Sequence, residues 1–282
     1  MKINIQNKYL SANIKSFGAE LENLVKNEHN YIWTIDEKFW NKTSPILFPI
    51  VSQLKNNSFT LNNNQYKLPR HGFARDYEFS VIEKTASSVL FLLSENENTL
   101  KQYPFKFELQ VKYELIENSL NISYFVANKS NLKMPFSIGG HPAFTIDNDI
   151  KNYQILFEKD ENLISYELEN GLLSEKYRHI ETLNNKLNLS YSLFEKDALI
   201  FKQLNSKSII ILHNNIPYIK LHLGNFPNLG IWTKNKASFL CIEPWFGYSD
   251  SESSNGNLYG KEGIQILEPN NKFESFFSIE IL

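Results

Sequence analysis

The strongest constraint on the fold is an unbroken alternation of apolar and polar residues from Phe105 to Leu115. Successive side chains of a β-strand point to opposite faces, so this pattern predicts a strand with one face on a core and the other in water. Glu117 and Asn118 then supply residues typical of a turn. The apolar alternation resumes at Leu120, Ile122, Tyr124 and Val126. We therefore predict an antiparallel β-hairpin.

Similar short patterns recur along the chain and predict further strands at 77–82, 89–93, 153–157, 209–212, 219–223, 239–243 and 276–281. Helical signals are sparse: the best is Asn98–Tyr103, which Pro104 ends, and a weaker one is Leu193–Ala198. Short strands without a βαβ rhythm favour an all-β protein, specifically a large sandwich of antiparallel sheets.

Length and composition favour a single folded domain over residues 1–282. The chain is 42% hydrophobic and 14% aromatic, which is enough to bury a full core. It has no linker-like segment, charge block or internal repeat. A formal net charge of -2 leaves no basic surplus, so we predict no nucleic-acid partner.

The number of cysteines and the length of the apolar segments indicate the cellular compartment. The single cysteine, Cys241, has no partner for a disulfide or a CxxC motif, which fits a reducing compartment. The first residues contain no apolar stretch of a signal peptide, and no run approaches the about 20 apolar residues that span a bilayer. We expect a soluble, cytoplasmic protein without a membrane partner.

The sharp motifs of phosphate-loop, zinc-protease, α/β-hydrolase and dinucleotide-binding proteins are absent. Local clusters of polar residues with Gly or Pro instead break the strand pattern. Such departures from local rules tend to mark functional sites. The four clusters are Pro45–Val51, His71–Asp76, Ser137–Pro142 and Cys241–Gly247.

Glu243 is the first candidate catalytic residue. A strand at 239–243 places its carboxylate on the same face as Phe239 and Cys241, an otherwise apolar row. Burial there would raise its pKa and suit it to act as a general base, and Trp245 and Phe246 beside it offer flat apolar faces for a sugar ring. The alternative is a glutamate at a strand end that faces solvent or binds a loop amide.

The histidines supply further candidates. His141 follows two glycines and precedes Pro142, so it lies on a rigid bend, where it is either a general acid or a turn cap. His71, with Arg70 and Arg75 nearby, either binds hydroxyls or an anion, or belongs to a surface turn. The remaining histidines have no sequence partner, and we interpret them as structural or exposed; no spacing supports a metal site. They are His29, His179, His213 and His222.

Taken together, the clusters resemble the aldose 1-epimerase (galactose mutarotase-like) family, and most closely its LacX-like branch. The matching segments run in order along nearly the whole chain. They are Phe17–Leu21, Leu47–Val51, His71–Arg75, Gly140–Pro142, Gly230–Thr233, Glu243–Gly247 and Lys261–Ile264.

The resemblance implies a β-sandwich of the supersandwich type with an open cleft that holds a hexose, and an enzyme that interconverts sugar anomers without a cofactor or metal. It also implies roles. Glu243 matches the base that takes the proton of the anomeric hydroxyl, and His141 matches the acid that protonates the ring oxygen. His71 matches a second histidine that binds the sugar, and Trp245 is a candidate platform beneath it.

Departures from the family pattern leave the substrate open. Galactose mutarotases of this family have an arginine where this chain offers Gln53 and Lys55, which become candidate sugar-binding residues. The segment around Arg75 resembles sugar 6-phosphate mutarotases, in which arginines hold the phosphate. A further arginine of those relatives is replaced here by Asn41–Lys42. A neutral aldose is the first expectation and a hexose phosphate the second.

Two other classes of function stay open. One is a carbohydrate-binding protein that uses the same cleft without turnover. The other is a glycoside hydrolase, which needs two carboxylates about 5 to 9.5 Å apart. Asp250 or Glu268 is a candidate for the second carboxylate, although nothing in the sequence pairs either with Glu243.

Overall fold

The structure, a computed structural model, describes residues 1–147 and 149–282. Those residues form 25 β-strands and one short α-helix. The strands before residue 130 are β1 (Lys2–Gln6), β2 (Ser11–Lys15), β3 (Glu20–Lys26), β4 (His29–Asn30), β5 (Ile46–Leu47), β6 (Ser58–Leu61), β7 (Asn64–Lys67), β8 (Ser80–Lys84), β9 (Ser88–Ser94), β10 (Phe107–Ile116) and β11 (Ser119–Asn128). The α-helix, α1 (Glu97–Gln102), lies between β9 and β10.

The remaining strands complete the list. They are β12 (Met134–Phe136), β13 (Ile138–Gly140), β14 (Ala143–Thr145), β15 (Tyr153–Phe157), β16 (Ile164–Glu169), β17 (Leu172–His179), β18 (Lys186–Asn188), β19 (Leu199–Phe201), β20 (Ser208–His213), β21 (Ile216–His222), β22 (Asn228–Trp232), β23 (Phe239–Phe246), β24 (Gln265–Leu267) and β25 (Lys272–Ile281). Single 3-10 turns occur at Lys55–Asn57, Ala74–Asp76, Ile150–Asn152, Tyr191–Phe194 and Leu258–Gly260.

The predicted hairpin is confirmed as β10 and β11. The two strands pair antiparallel from Phe107 opposite Asn128 to Ile116 opposite Ser119. They lie within a nine-stranded sheet of order β18-β15-β20-β21-β25-β11-β10-β9-β8. The alternation of buried and partly exposed residues along both strands shows that only one face of this sheet enters the core.

A second sheet faces the first. Its order is β17-β16-β19-β22-β23-β13-β5, and β14 also pairs with β23. Buried side chains of both sheets join in one hydrophobic cluster, in which Ile122 and Phe277 of the first sheet share the core with Leu229 and Ile242 of the second. The predicted all-β sandwich of antiparallel sheets is therefore confirmed, and β23 lies inside the second sheet with neighbours on both sides.

The helical predictions have mixed outcomes. The first is confirmed within one residue as α1, which Asn96 caps with its side chain. The second is wrong, because 193–198 forms only the end of the Tyr191–Phe194 turn. The chain cannot continue as a helix there, since Asp197 has a positive φ of 73°. No helix in the described part of the chain combines the length and the apolar character needed to cross a bilayer.

A buried carboxylate positions the segment that leads into the site. Glu20 of β3 accepts hydrogen bonds from the backbone N–H groups of Thr43 and Ser44, at 2.6 and 3.1 Å. The carbonyls of this segment accept in turn, Thr43 from the N–H of Ala143 and Pro45 from the N–H of His141. Glu20 thus holds the segment against which the His141 backbone is hydrogen-bonded.

We predict that Glu20→Ala lowers the free energy of unfolding by about 3 kcal/mol, because it leaves two buried N–H groups without an acceptor. Glu20→Gln keeps an oxygen in place and should cost roughly 1 kcal/mol. Urea unfolding of both variants measures the difference. Equal stability of the alanine and glutamine variants would contradict the assigned role.

Candidate active site

Strand β23 separates the core from the site by the alternation of its side chains. Leu240, Ile242 and Phe246 belong to the large core between the sheets. Cys241 and Trp245 belong to smaller apolar clusters outside that core. Glu243, between them in the alternation, is only 1% exposed. The predicted row of Phe239, Cys241 and Glu243 on one face is present, but Phe246 packs into the core against Phe226 and is not a sugar platform.

His141 meets Glu243 across two neighbouring strands. It follows directly after β13, which pairs antiparallel with β23. Its imidazole Nε2 lies 3.2 Å from Oε2 of Glu243. Both side chains are buried, and the contact is a close approach without hydrogen-bond geometry, because Oε2 of Glu243 has no hydrogen-bond partner among the described residues. Nδ1 of His141 has no hydrogen-bond partner on another described residue. A carboxyl and an imidazole are therefore held next to each other, both largely buried.

Two glycines make room for Trp245 beside this pair. A Cβ atom on Gly139 would stand 2.5 Å from the Trp245 side chain, and one on Gly230 would stand 2.5 Å from the far end of the indole. Gly139 is paired with Trp245 across β13 and β23, and Gly230 is paired with Glu243 across β22 and β23. Because neither Gly139 nor Gly230 has a side chain, the indole can lie against both neighbouring strands at the base of the site.

His71 approaches His141 from another loop. The two rings are 5.6 Å apart and meet edge to face. Nδ1 of His71 accepts a hydrogen bond of 3.1 Å from the backbone N–H of Ser52, while the His71 N–H donates to the Ser52 carbonyl. Because Nδ1 is an acceptor, the neutral ring carries its proton on Nε2 and presents a donor there.

These residues surround one open cavity of about 600 Å³. Aromatic side chains line one part of it, and two arginines, Arg70 and Arg75, line another. Arg70 lies 3.6 Å from the Asp197 carboxylate, whereas Arg75 donates to the Arg70 carbonyl at 2.7 Å. The other charged or polar lining residues are Ser52, His71, His141, Asp197, Thr233, Lys234, Asn235 and Glu243.

Burial dominates the protonation of the pair. It raises the pKa of the Glu243 carboxyl well above its usual range, and the nearby Arg70 offsets this only in part. Burial also lowers the pKa of His141 to about 3; a hydrogen bond to its own backbone opposes this in part, and Arg70 and Arg75 act in the same direction as burial. The pKa of His71 is likewise held well below its usual value, first by burial and then by His141. Burial thus favours the uncharged forms of both side chains, a protonated Glu243 and a neutral His141.

Comparison with known proteins identifies the family of this chain. The family model for aldose 1-epimerase matches residues 1–275. The chain belongs to the aldose 1-epimerase family. Protein LacX of Lactococcus lactis subsp. lactis, in plasmid and chromosomal forms, is 32% identical over 299 aligned residues that span both proteins in full.

Solved structures agree with this membership. A galactose mutarotase related enzyme from Lactobacillus acidophilus is 30% identical, with a TM-score of 0.95 over 100% of this chain and 97% of that one. A galactose mutarotase-like protein from Lactobacillus casei is 30% identical, with a TM-score of 0.94 over the full length of both. The expected galactose mutarotase-like fold is thereby confirmed.

The structure brings five of the seven predicted site residues of this aldose 1-epimerase family member to the cavity. They are Glu243, His141, His71, Arg75 and Trp245. Gln53 and Lys55 do not line it, which corrects the expectation that they bind the sugar. The Lys55 ammonium donates to the carbonyls of Glu252 and Ser254 on a separate loop. The Gln53 side chain packs against Gly171. A Cβ atom placed on Gly171 would lie 2.3 Å from the Gln53 amide oxygen.

The carboxylates considered for hydrolysis also lie elsewhere. Asp250 is buried in an ion pair of 3.0 Å with Lys261, and Glu268 pairs with Lys133 at the surface. Neither lines the cavity. Among the described residues, the carboxylate that does accompany Glu243 there is Asp197, which the sequence did not single out because it lies in an irregular turn.

Sequence reasoning also missed the aromatic part of the cavity. Trp40 and Trp232 both line it, and Trp40 stacks on His141 with ring centroids 4.8 Å apart. Trp232 belongs to a family segment quoted above, which was the available signal. Trp40 lies in an irregular loop with no periodic pattern, so its position follows only from the fold.

One group in the described part of the chain has the spacing of metal ligands. The ligand atoms of His141, Cys241 and Glu243 lie within 4.8 Å of one another. Burial raises the pKa of the Cys241 thiol well above its usual range, and the other two side chains are engaged with each other. We assign this group no metal.

The opposite pKa shifts of Glu243 and His141 predict a characteristic pH dependence of stability. Between pH 4.5 and 6.5, the ordinary values of Glu and His, the folded pair and the unfolded chain each bind one proton, so the pair contributes no slope. Below this range the unfolded chain binds two protons, and above it none. The contribution of the pair to the free energy of unfolding should therefore fall on both sides, by at most about 1.4 kcal/mol per pH unit. On the acid side the fall ends at about pH 3, where folded His141 also binds a proton.

Urea unfolding across this range, for the wild type and for the double variant Glu243→Gln/His141→Asn, measures this contribution as a difference. The double variant lacks both titrating groups but keeps similar shapes. A difference that rises steadily through the range, without a plateau, would show that the pair does not share one proton.

Proposed function

We propose that this protein is an aldose mutarotase that interconverts the α and β anomers of a hexose. The observation that carries the proposal is the buried pair of His141 and Glu243, 3.2 Å apart, on a cavity of about 600 Å³. Anomer exchange requires a base at the anomeric hydroxyl and an acid at the ring oxygen. Both oxygens are bonded to the anomeric carbon and therefore lie close together. Two groups this close can reach both atoms at once.

The proposed reaction begins with the proton on the imidazole. Glu243 takes the proton of the anomeric hydroxyl, and His141 gives its proton to the ring oxygen. The bond between the anomeric carbon and the ring oxygen breaks, and an aldehyde forms. After the aldehyde rotates, the same transfers in reverse close the ring with the opposite configuration.

Burial suits the pair to this cycle. Ring opening leaves a neutral carboxyl and a neutral imidazole, which is the proton distribution that burial favours. The charged form needed for ring opening differs from it only in which of the two side chains holds the proton, and the two lie 3.2 Å apart. Burial therefore favours the proton transfers that open the ring, because they leave both side chains neutral. It opposes the transfers that restore the charged pair.

Other lining groups supply donors for sugar oxygens. The fixed tautomer of His71 presents Nε2–H as a donor. Trp245 lines the same cavity, and its indole N–H interacts with the Glu243 carboxyl. A buried donor without an acceptor is costly, so a ligand oxygen that accepts from His71 binds favourably. His71 and Trp245 are thus the proposed ligands of the sugar.

We predict that Glu243→Gln and His141→Asn each reduce catalysed anomer exchange by roughly 10² to 10⁴-fold, because each removes one proton-transfer group. The double variant should be hardly slower than the slower single variant, since the two groups act as one unit. Saturation-transfer NMR on glucose and galactose measures the exchange rates.

The same assay tests the competing function, a carbohydrate-binding protein of the same fold without turnover. Saturable sugar binding by the wild type with no acceleration over buffer would favour that function over an enzyme. Acceleration that survives in Glu243→Gln would contradict the assigned base.

A second candidate function is mutarotation of a hexose 6-phosphate. The observation that favours it is that Arg70 and Arg75, two of the three arginines of the chain, both line the cavity. The Nε atom of Arg75 is buried and makes no hydrogen bond among the described residues, although it lies 3.7 Å from the Asp76 carboxylate. Guanidinium groups are suited to phosphate oxygens.

If the substrate is phosphorylated, Arg70→Gln should raise KM for glucose 6-phosphate about tenfold and change KM for glucose less than about twofold, because only the phosphate needs the positive charge. Glucose serves as the internal control for the integrity of the site. Equal changes in KM for both sugars would remove the phosphorylated substrate from consideration.

A further inference from the structure

Trp40 lies where it can control the orientation of His141. Its ring is stacked on the imidazole, with centroids 4.8 Å apart and an angle of 29° between the planes. Trp232 meets the same imidazole edge-on at 5.8 Å. Trp40 is in turn packed against Trp232 and Phe239, each 5.6 Å away, so the stacked indole is itself held in place.

Hydrogen bonding does not fix the ring of His141 in the way that is usual for catalytic histidines. A catalytic or ligating imidazole generally donates its second ring N–H to a carboxylate or carbonyl, which sets its tautomer and its plane. In His141 that second nitrogen, Nδ1, is buried and has no partner on any other described residue, and only the backbone of His141 itself is in reach. The contact between Nε2 and Glu243 does not by itself fix the plane of the imidazole ring, because the ring can still rotate about that contact.

We infer that Trp40 is a positioning residue, whose indole face fixes the plane of the His141 imidazole and favours its protonated form during the reaction. A cation over the face of an indole is attracted by the ring electrons, and the attraction increases where water is excluded. This inference rests on the proposed function for the role of His141 as an acid, but the stacking itself does not depend on it.

The stacked arrangement also separates this role from that of a sugar platform. The face of Trp40 that contacts His141 is occupied and cannot stack on a sugar ring at the same time. A platform would contribute to substrate binding and therefore to KM. A residue that orients the acid contributes to the transition state and therefore to kcat.

The test compares Trp40→Leu, which removes the ring, with Trp40→Phe, which keeps an aromatic face. In saturation-transfer NMR, Trp40→Leu should lower kcat about tenfold and change KM less than about threefold, whereas Trp40→Phe should stay within about threefold of the wild-type kcat. Phe39→Leu is the matched control, because Phe39 is the preceding residue and does not line the cavity. It should stay within about twofold of the wild-type kcat, since it leaves the stack intact.

A second readout needs no turnover. In protein labelled with ¹⁵N-histidine, the His141 ring nitrogens, assigned by their loss in His141→Asn, should shift or broaden in Trp40→Leu and keep their wild-type positions in Trp40→Phe. Unchanged ring-nitrogen signals in Trp40→Leu would overturn the inference, whatever the activity. If the signals change as expected but the wild type does not exchange anomers, the proposed function fails and the positioning role stands.

Two further results would also overturn it. A rise of KM in Trp40→Leu with unchanged kcat would make Trp40 a sugar platform. Equal loss of kcat in Trp40→Phe and Trp40→Leu would show that the aromatic face is irrelevant. Thermal unfolding checks that each variant folds, and Trp40→Met, which is flexible enough to fill the gap, replaces the leucine variant if that one does not.

Discussion

The contact between the Glu243 carboxyl and the His141 imidazole is the interaction around which the site is built. Both groups are buried, and each alone would pay a large desolvation cost in its charged form. Together they need only one proton to be neutral, and transfer of that proton produces an ion pair without a net change of charge. The same burial that affects stability thus supports the acid and base roles proposed for the two side chains.

The fold provides this contact through its use of the two faces of one strand. Strand β23 contributes Leu240 and Ile242 to the core between the sheets and Glu243 and Trp245 to the cavity on the other face. A rigid central strand holds the carboxyl in place, which a loop would do less well. Gly139 on the neighbouring strand supplies the space for the indole that accompanies the pair.

Much of this architecture could be predicted, and the reasons for the failures are physical. Alternation is a local signal, so the hairpin and the burial of Glu243 on an apolar row were readable from the sequence. The pairing of Glu243 with His141 required the family order of motifs, because strand neighbours are set by topology. Lys55 was misjudged because its ammonium turns to the carbonyls of another loop. Trp40 lies in an irregular loop and carries no local signal at all.

The most direct test of the central claim is a crystal structure of the protein with a hexose bound. The account predicts that the anomeric oxygen lies about 2.6 to 3.2 Å from the Glu243 carboxyl and that the ring oxygen lies at a similar distance from Nε2 of His141. A sugar bound in the cavity with both of these oxygens turned away from the pair would contradict it.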